Sequence, residues 1–300
     1  MSRDVLVGIE TGGTKIMLAL ADAAAPDTIV AQHRIPTEDP RPTLAAMDAW
    51  IREAVGSDRI VGAGIGAFGP INLDPDSPDF TRLTVTPKLA WRGTRLLDGL
   101  PVLDEVPLRA VTDVGAAAIG EQQAGAGQGL SRLAYVTIGT GVGAGVLLNG
   151  RAVVGTGDHE LGHQLVRKHP EDTFAGQCPY HGDCLEGLSC GPALQARYGI
   201  PAETFSPEQQ AATARFVGDY AAQLAWTLRM GFSVQRVIFG GGVLHIPGLL
   251  DELRDRVAFY ADGPIATPDG GEFIVQPQLG GEAGMRGALT LAAWSAAGSN

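Results

Sequence analysis

The chain has 300 residues, 45% of them hydrophobic, a mean hydropathy of +0.08 and a net charge of -11 from 22 basic and 33 acidic side chains. That length exceeds what a single comfortable core holds, so one large domain or two lobes of roughly 150 residues each is expected. No apolar run approaches the ~18 residues of a membrane span, Met1-Ser2-Arg3-Asp4 leads into a strand-like segment rather than a signal peptide, and scattered basic residues make a poor nucleic-acid surface, so a cytoplasmic protein that binds neither membrane nor nucleic acid is expected.

The apolar pattern predicts strands at 4–9, 16–22 and 29–35, then a helix over 41–55 with Leu44, Met47, Trp50, Ile51 and Val55 at helical spacing and Pro42 in its first turn. Residues 59–67 read as a buried strand. A second series follows: an Ala-rich helix at 114–124, a strand at 132–138, a turn at 139–145 and a return strand at 146–148. Helices are predicted at 185–197 and at 207–230, the latter with Phe216, Tyr220, Leu224 and Leu228 on one face. A strand at 235–239 runs into Gly240-Gly241-Gly242, and helices at 247–260 and 282–295 complete the chain.

Forty-two glycines gather in short clusters, which suits tight turns and close backbone approach to a ligand. The first cluster, GIETGGTK at 8–15, fits G-x-x-x-x-G but lacks the Lys-Ser/Thr ending of a Walker A loop, and the apolar run after Lys15 makes it a hairpin rather than a strand-to-helix turn. Lys15 is given no catalytic role. VLVGIETGGTKIMLAL also echoes LAYVTIGTGVGAGVLL, with Ile9, Thr11 and Gly12 over Ile138, Thr140 and Gly141. Two such units, one opening each half, suggest a duplicated lobe. Glycine turns expose consecutive N–H groups that bind anions, whereas a hairpin that merely needs positive φ is the plainer explanation. Gly139, Gly141 and Gly143 do not fit a dinucleotide fingerprint, because the chain continues as strand and Gly145 breaks the spacing.

Three cysteines, Cys178, Cys184 and Cys190, are too few and too close for a disulfide framework. His163, Cys178, His181 and Cys184 are spaced H-x14-C-x2-H-x2-C. Two thiolates and two imidazoles make the S2N2 set of a closed structural zinc site. His169 has no matching spacing and is read as a surface residue, and Cys190 as a small buried apolar one.

ETGGTK at 10–15, TDVGAAAIGE at 112–121, TIGTGVGAG at 137–145, HELGH at 159–163, the Cys/His segment and FGGGV at 239–243 occur in the order found in ROK sugar kinases, of the actin-like ATPase superfamily. AFGPINL at 67–73 and TPKLAW at 86–91 look most like the bacterial fructokinase branch. The resemblance implies an α/β fold of two actin-like, ribonuclease H-like lobes, 1–111 plus 285–300 and 112–284, with a nucleotide and sugar cleft between them and a zinc loop at 163–184. Glu10 would order Mg2+ through water, and Gly12, Gly13 and Thr14 would face the phosphates of ATP from one lobe. Thr140, Gly141 and Gly143 would face them from the other, and Gly240, Gly241 and Gly242 would let the adenosine lie close to the backbone. Asp113 would be the general base, although an Asp before an Ala-rich helix also suits an N-cap. Thr112, Asp113, Glu160, His163 and Glu186 would bind the sugar, with His163 also a zinc ligand and the zinc purely structural. Gly115 departs from the Asn common in relatives, which removes any contact through an amide there. The implied activity is ATP-dependent phosphorylation of the fructose 6-hydroxyl, with a glucokinase, mannokinase or broad hexokinase as the alternative. A homodimer is expected. A sugar-sensing regulator of the same family would carry an N-terminal winged helix, for which a motif starting at residue 10 leaves no room.

Overall fold

Strand β1 (Asp4–Thr11) is apolar at nearly every position because both of its faces are covered. Alternation along β1 and β2 (Lys15–Asp22) sends Val7, Ile9, Ile16, Leu18 and Leu20 to one face, where they pack with Met47 and Ile51 of helix α1 (Pro40–Val55), Phe68 and Trp91. Leu6, Ala19 and Ala21 go to the other, against Met285, Leu289 and Ala292 of the C-terminal helix. The computed structural model that shows this describes residues 2–155, 159–262, 267 and 270–298.

Strands β3 (Ala25–Pro36), β4 (Arg59–Ala67) and β5 (Leu108–Thr112) complete a sheet of order β3-β2-β1-β4-β5, antiparallel on the β2 and β3 side and parallel from β1 through β5. Helix α2 (Asp113–Ala124) follows β5 directly. Further along the chain come β6 (Arg132–Ile138) and β7 (Val142–Leu148), helices α3 (Leu185–Ser189), α4 (Gly191–Tyr198) and α5 (Pro207–Phe232), strand β8 (Arg236–Gly240), helix α6 (Leu249–Tyr260), strand β9 (Ile274–Val275) and helix α7 (Ala283–Ala296). The order β9-β8-β6-β7 repeats β5-β4-β1-β2, with β6 and β7 antiparallel and the other pairs parallel. The duplication expected from the glycine turns is therefore present in the strand order. It does not hold letter by letter: the last ladder pairs are Thr11–Ile16 and Ile138–Val142, so Thr11 ends its strand whereas Thr140 stands in the turn.

Packing divides the chain into two units, one of Met1–Gly125, Arg151–His159 and Leu279–Asn300, the other of Ala126–Gly150 and Glu160–Gln278. The division expected at 111/112 moves to Gly125, because α2 packs against α7. That contact is main chain to main chain. A Cβ added at Gly287 would lie 1.8 Å from the Ala116 carbonyl oxygen, and one added at Gly64 of β4 would lie 2.0 Å from that of Ala288. Alternate glycines in β4 (RIVGAGIGA) thus clear the face on which α7 lies.

In the second unit α5 opens on a capping box, Ser206 accepting from Gln209 N and Gln209 accepting from Ser206 N, and buries Phe216, Tyr220, Leu224 and Leu228 as its spacing predicts. The helix predicted at 185–197 is instead two, meeting at Cys190. Pro192 has no N–H for the Leu188 carbonyl, which takes the Arg197 guanidinium at 3.1 Å instead. Arg197 also pairs with the buried Asp172, whose other oxygen accepts from Tyr220 Oη at 2.7 Å. His169 is not a plain surface residue: its ring lies 5.1 Å from that of Phe216 and its main-chain N–H donates to Tyr220 Oη.

Gly287→Ala is expected to destabilise the protein by about 2 kcal/mol or more, because its methyl group has no room and the obstacle is backbone. Urea unfolding checks this, and an unchanged midpoint would contradict the close crossing.

Candidate functional site

In the first unit the parallel strands β1, β4 and β5 end on one edge at Thr11, Ala67 and Thr112, with Glu10 opposite Gly66, Gly66 opposite Val111 and Ala67 opposite Thr112. The carboxyl edge of a parallel sheet is where α/β proteins gather ligand-binding groups. Thr112 caps α2, its Oγ1 accepting from Gly115 N at 3.0 Å. The cap considered for Asp113 thus belongs to its neighbour, and Asp113 is the first helical residue, with Oδ1 accepting from Val114 N at 2.8 Å. Thr112 keeps its O–H proton for donation. A Cβ at 115 would sit 3.0 Å from Thr112 Oγ1 and 3.3 Å from Val111 Cβ, so glycine there suits this cap.

Glu10 stands near the end of β1 with its carboxylate against Gly284 of α7, where a Cβ would come within 2.6 Å of the Glu10 carboxyl carbon. Its Oε2 is buried and has no hydrogen-bond partner among the described residues. Burial holds this carboxyl above the usual glutamate range, and the Lys15 charge offsets only part of that. An orphaned, desolvated carboxylate oxygen fits the expectation that a hydrated cation stands there. Gly12 closes the hairpin by donating to Lys15 O at 2.9 Å, and Thr37 holds the turn through Oγ1 to Gly12 O at 2.7 Å and N–H to Thr14 O at 3.0 Å. The Gly13 and Thr14 amides have no acceptor among the described residues. Neither Gly12 nor Gly13 has positive φ, so the hairpin itself does not demand glycine there.

In the second unit the turn is Gly139–Gly141, shorter than the predicted 139–145. Thr140 is exposed and Gly141 half-buried, while Gly143 belongs to β7, opposite Thr137 in the ladder. Glu186 of α3 reaches this turn: its Oε2 accepts from Val142 N at 2.9 Å and would lie 2.8 Å from a Cβ at Gly141. The other end is fixed by Gly191 N donating to Gly139 O at 2.7 Å. Sequence reasoning placed Glu186 only against sugar; its bond to the turn carries no sequence signal, nor does the role of Thr37. Of the third cluster, Gly241 has φ 94° and a Cβ there would meet Ile138 O at 2.3 Å, while one at Gly240 would meet Tyr135 Oη at 2.5 Å. These two glycines serve internal packing, and Gly242 alone faces open space.

His163, Cys178, His181 and Cys184 converge, with ligand atoms all within 4.8 Å of one another. Cys178 Sγ lies 3.6 Å from His163 Nδ1 and 3.7 Å from His181 Nδ1, and Cys184 Sγ lies 3.6 Å from His163 Nδ1. A tetrahedral zinc with bonds of ~2.3 Å to sulfur and ~2.0 Å to nitrogen requires S···N edges of about 3.5 Å. The geometry therefore suits that ion. Nδ1 of His163 faces the sulfurs, leaving Nε2 as its other donor. Cys184 stands at the N-cap position of α3, two residues before Glu186. Cys190, as expected, is buried outside the cluster. The Glu160 carboxylate accepts no capping hydrogen bond; partial burial holds its pKa above the usual range, His163 opposing and Glu186 adding to the effect, which puts these three groups within electrostatic reach.

Two mixed sheets with one repeated strand order, each bearing a glycine hairpin, define an α/β architecture consistent with the actin-like ATPases. The chain belongs to the ROK family, whose family model matches residues 6–294. It is 38% identical over 287 residues to the fructokinase of Zymomonas mobilis, covering 95% of each chain. It is 37% identical over 261 residues to a fructokinase of Lactococcus lactis, covering 87% of this chain and 86% of that one. Among solved structures it is similar to a ROK family glucokinase from Streptomyces griseus in complex with glucose and AMPPNP, with a TM-score of 0.70, 26% identity, and coverage of 96% of this chain and 99% of that one.

Thr112→Ala is expected to cost about 1 kcal/mol of stability through loss of the cap, read by urea unfolding; no change would move the cap elsewhere. A carboxyl raised on folding favours the fold while protonated, and that contribution is lost as pH climbs from the ordinary glutamate range through the raised value. Glu10→Gln removes the buried charge, so its stability relative to wild type should rise as pH climbs above the ordinary glutamate range; a gap independent of pH would rule out Glu10 as a desolvated carboxylate.

Proposed function

We propose that the protein is an ATP-dependent fructokinase that transfers the terminal phosphoryl group of ATP to the 6-hydroxyl of D-fructose. The observation that carries this reading is identity of 37–38% to fructokinases over most of the chain, joined to a carboxylate, Asp113, at a strand end whose helix is capped by another residue. Asp113 accepts the hydroxyl proton as the sugar oxygen bonds to phosphorus and the bridging P–O bond to ADP breaks. Magnesium bound with ATP would shield phosphate charge, and Glu10, whose buried oxygen lacks a partner among the described residues, is the residue that would hold it through water. The Thr14 hydroxyl and the Gly13 and Thr14 amides, on the turn that Gly12 closes, with Thr140 and Gly141 of the second turn, hold phosphate oxygens, and Gly242 gives the adenosine an open backbone. Gly143, Gly240 and Gly241 support these places from the ladder and the packing.

Thr112 donates its O–H to the sugar while its lone pair keeps the cap. Glu160, Glu186 and His163 Nε2 bind further hydroxyls, and Glu186 also steadies the second turn through Val142. His163, Cys178, His181 and Cys184 hold a structural zinc that supplies no chemistry to the transfer. Glucose is the second candidate sugar, favoured by the similarity to the S. griseus glucokinase with bound glucose. The same reading makes the working enzyme a cytoplasmic homodimer, for which sedimentation should return twice the 31.2 kDa chain mass.

A coupled ADP-release assay across fructose, mannose, glucose and N-acetyl sugars should give its highest kcat/KM with fructose; a higher value with glucose would reassign the sugar. Asp113→Ala should lower kcat by about 10²–10⁴-fold, the range of general-base catalysis, with sugar binding retained, and near-normal turnover would remove Asp113 from the reaction. Elemental analysis should find one zinc per chain, lost in a Cys178→Ser, Cys184→Ser double variant; metal-free native protein would sink the zinc site.

A further inference from the structure

The segment TVTPKLAW, residues 84–91, leads a cation to the first glycine turn. Trp91 at its end is fully buried, edge-on to Phe68 at 5.6 Å, and its indole N–H donates to Glu38 O at 2.7 Å. Thr86 is fully buried too; its Oγ1 accepts from Lys88 N at 3.3 Å and its carbonyl from Arg92 Nε at 2.9 Å. These bonds fix the backbone at Lys88, so the direction of its side chain is set by buried neighbours.

That side chain runs to the turn. A Cβ added at Gly13 would lie 4.0 Å from Lys88 Cε, and Nζ donates to Thr37 O at 2.9 Å, Thr37 being the residue that clasps Gly12 and Thr14. An ammonium has three donors, and this bond uses one. Lys88 forms no ion pair among the described residues, where each ion pair recorded is made by an arginine. Only three of the chain's 22 basic residues are lysines. A half-buried, unpaired point charge thus stands beside two backbone amides, Gly13 and Thr14, that also lack an acceptor among the described residues.

We propose that Lys88 is a further catalytic residue, binding the terminal phosphoryl group of ATP at the Gly12–Thr14 turn and neutralising the charge on its oxygens during transfer. This rests on the kinase reading above. The terminal group, rather than the diphosphate, is the one assigned because the turn belongs to the same unit as Asp113 and to the sheet whose strand β5 leads into it, and proton acceptance by Asp113 requires the transferred group nearby. Negative charge spread over three phosphoryl oxygens is what a positioned cation stabilises most in such a transfer. A guanidinium could supply charge but as a planar fork, which a site framed for one compact ammonium accommodates less well.

The test uses full-length wild type, Lys88→Met and Lys88→Arg, with steady-state kinetics on fructose and MgATP and calorimetric titration with AMPPNP and with ADP. Lys88→Met should lower kcat by about 100-fold, as loss of one charge-stabilising donor does. KM for fructose, zinc content and the thermal midpoint should stay at wild-type values. AMPPNP binding should weaken about ten-fold while ADP binding is unchanged, the signature of a contact to the terminal phosphoryl alone. Lys88→Arg should recover part of kcat. Turnover of Lys88→Met at the wild-type level, or equal weakening of AMPPNP and ADP, would overturn the assignment. Should Lys88→Met fail to fold, Lys88→Gln carries the same comparison. The two ideas fail separately: a wild type that releases no ADP with any sugar defeats the kinase reading, whereas the AMPPNP-against-ADP comparison still decides whether Lys88 grips a terminal phosphoryl group.

Discussion

Main-chain contact between α7 and its neighbours is the constraint from which the first unit's chemistry follows. At Gly64 and Gly287 there is no space for a methyl group, so α7 lies directly on β4 and on α2. The same helix presents Gly284 to the Glu10 carboxylate, which is how a residue near the end of a strand comes to be desolvated without a partner. Because α2 is held by α7, the strand end at Thr112 and the helix start at Asp113 are fixed together. A looser crossing would leave the Glu10 carboxylate to water and remove the electrostatic leverage that a low-dielectric setting gives it.

Neighbouring residues then divide the work. Thr112 satisfies the helix start, and its partner amide at Gly115 is reachable because no side chain crowds it. In the second unit a different division runs through α3: Cys184 stands at its N-cap position and joins the Cys/His cluster, while Glu186 one half-turn on secures Val142 beside the glycine turn. A metal bound by that cluster would therefore order more than its own loop.

Features that depend on local pattern were legible in the sequence. The strands around the first turn, the buried face of α5 and the Cys/His convergence each follow from periodicity or spacing over a few residues. What escaped depends on contacts made across the chain. The break at Cys190 follows from Pro192 and is completed by Arg197; the length of the second turn follows from pairing of Gly143 with Thr137; and the allegiance of α2 follows from a helix more than a hundred residues later. The bond that Glu186 accepts from Val142 N and the clasp of Thr37 belong to the same category, because nothing in their flanking residues announces a partner.

The first unit is also discontinuous in a way that bears on how it is made. Leu6, Ala19 and Ala21 have their apolar face covered by Met285, Leu289 and Ala292, residues synthesised at the far end of the chain. On a ribosome, β1, β2 and β4 emerge with one face finished and the other bare until α7 is released, an interval of roughly ten seconds or more at about 5–20 residues per second. The intervening second unit can organise itself during that wait, since its strands and helices fall within Ala126–Gln278 apart from one short excursion. Completion of the Glu10 environment thereby waits for α7, so a chain lacking that helix would expose an unfinished sheet rather than offer a partly working enzyme.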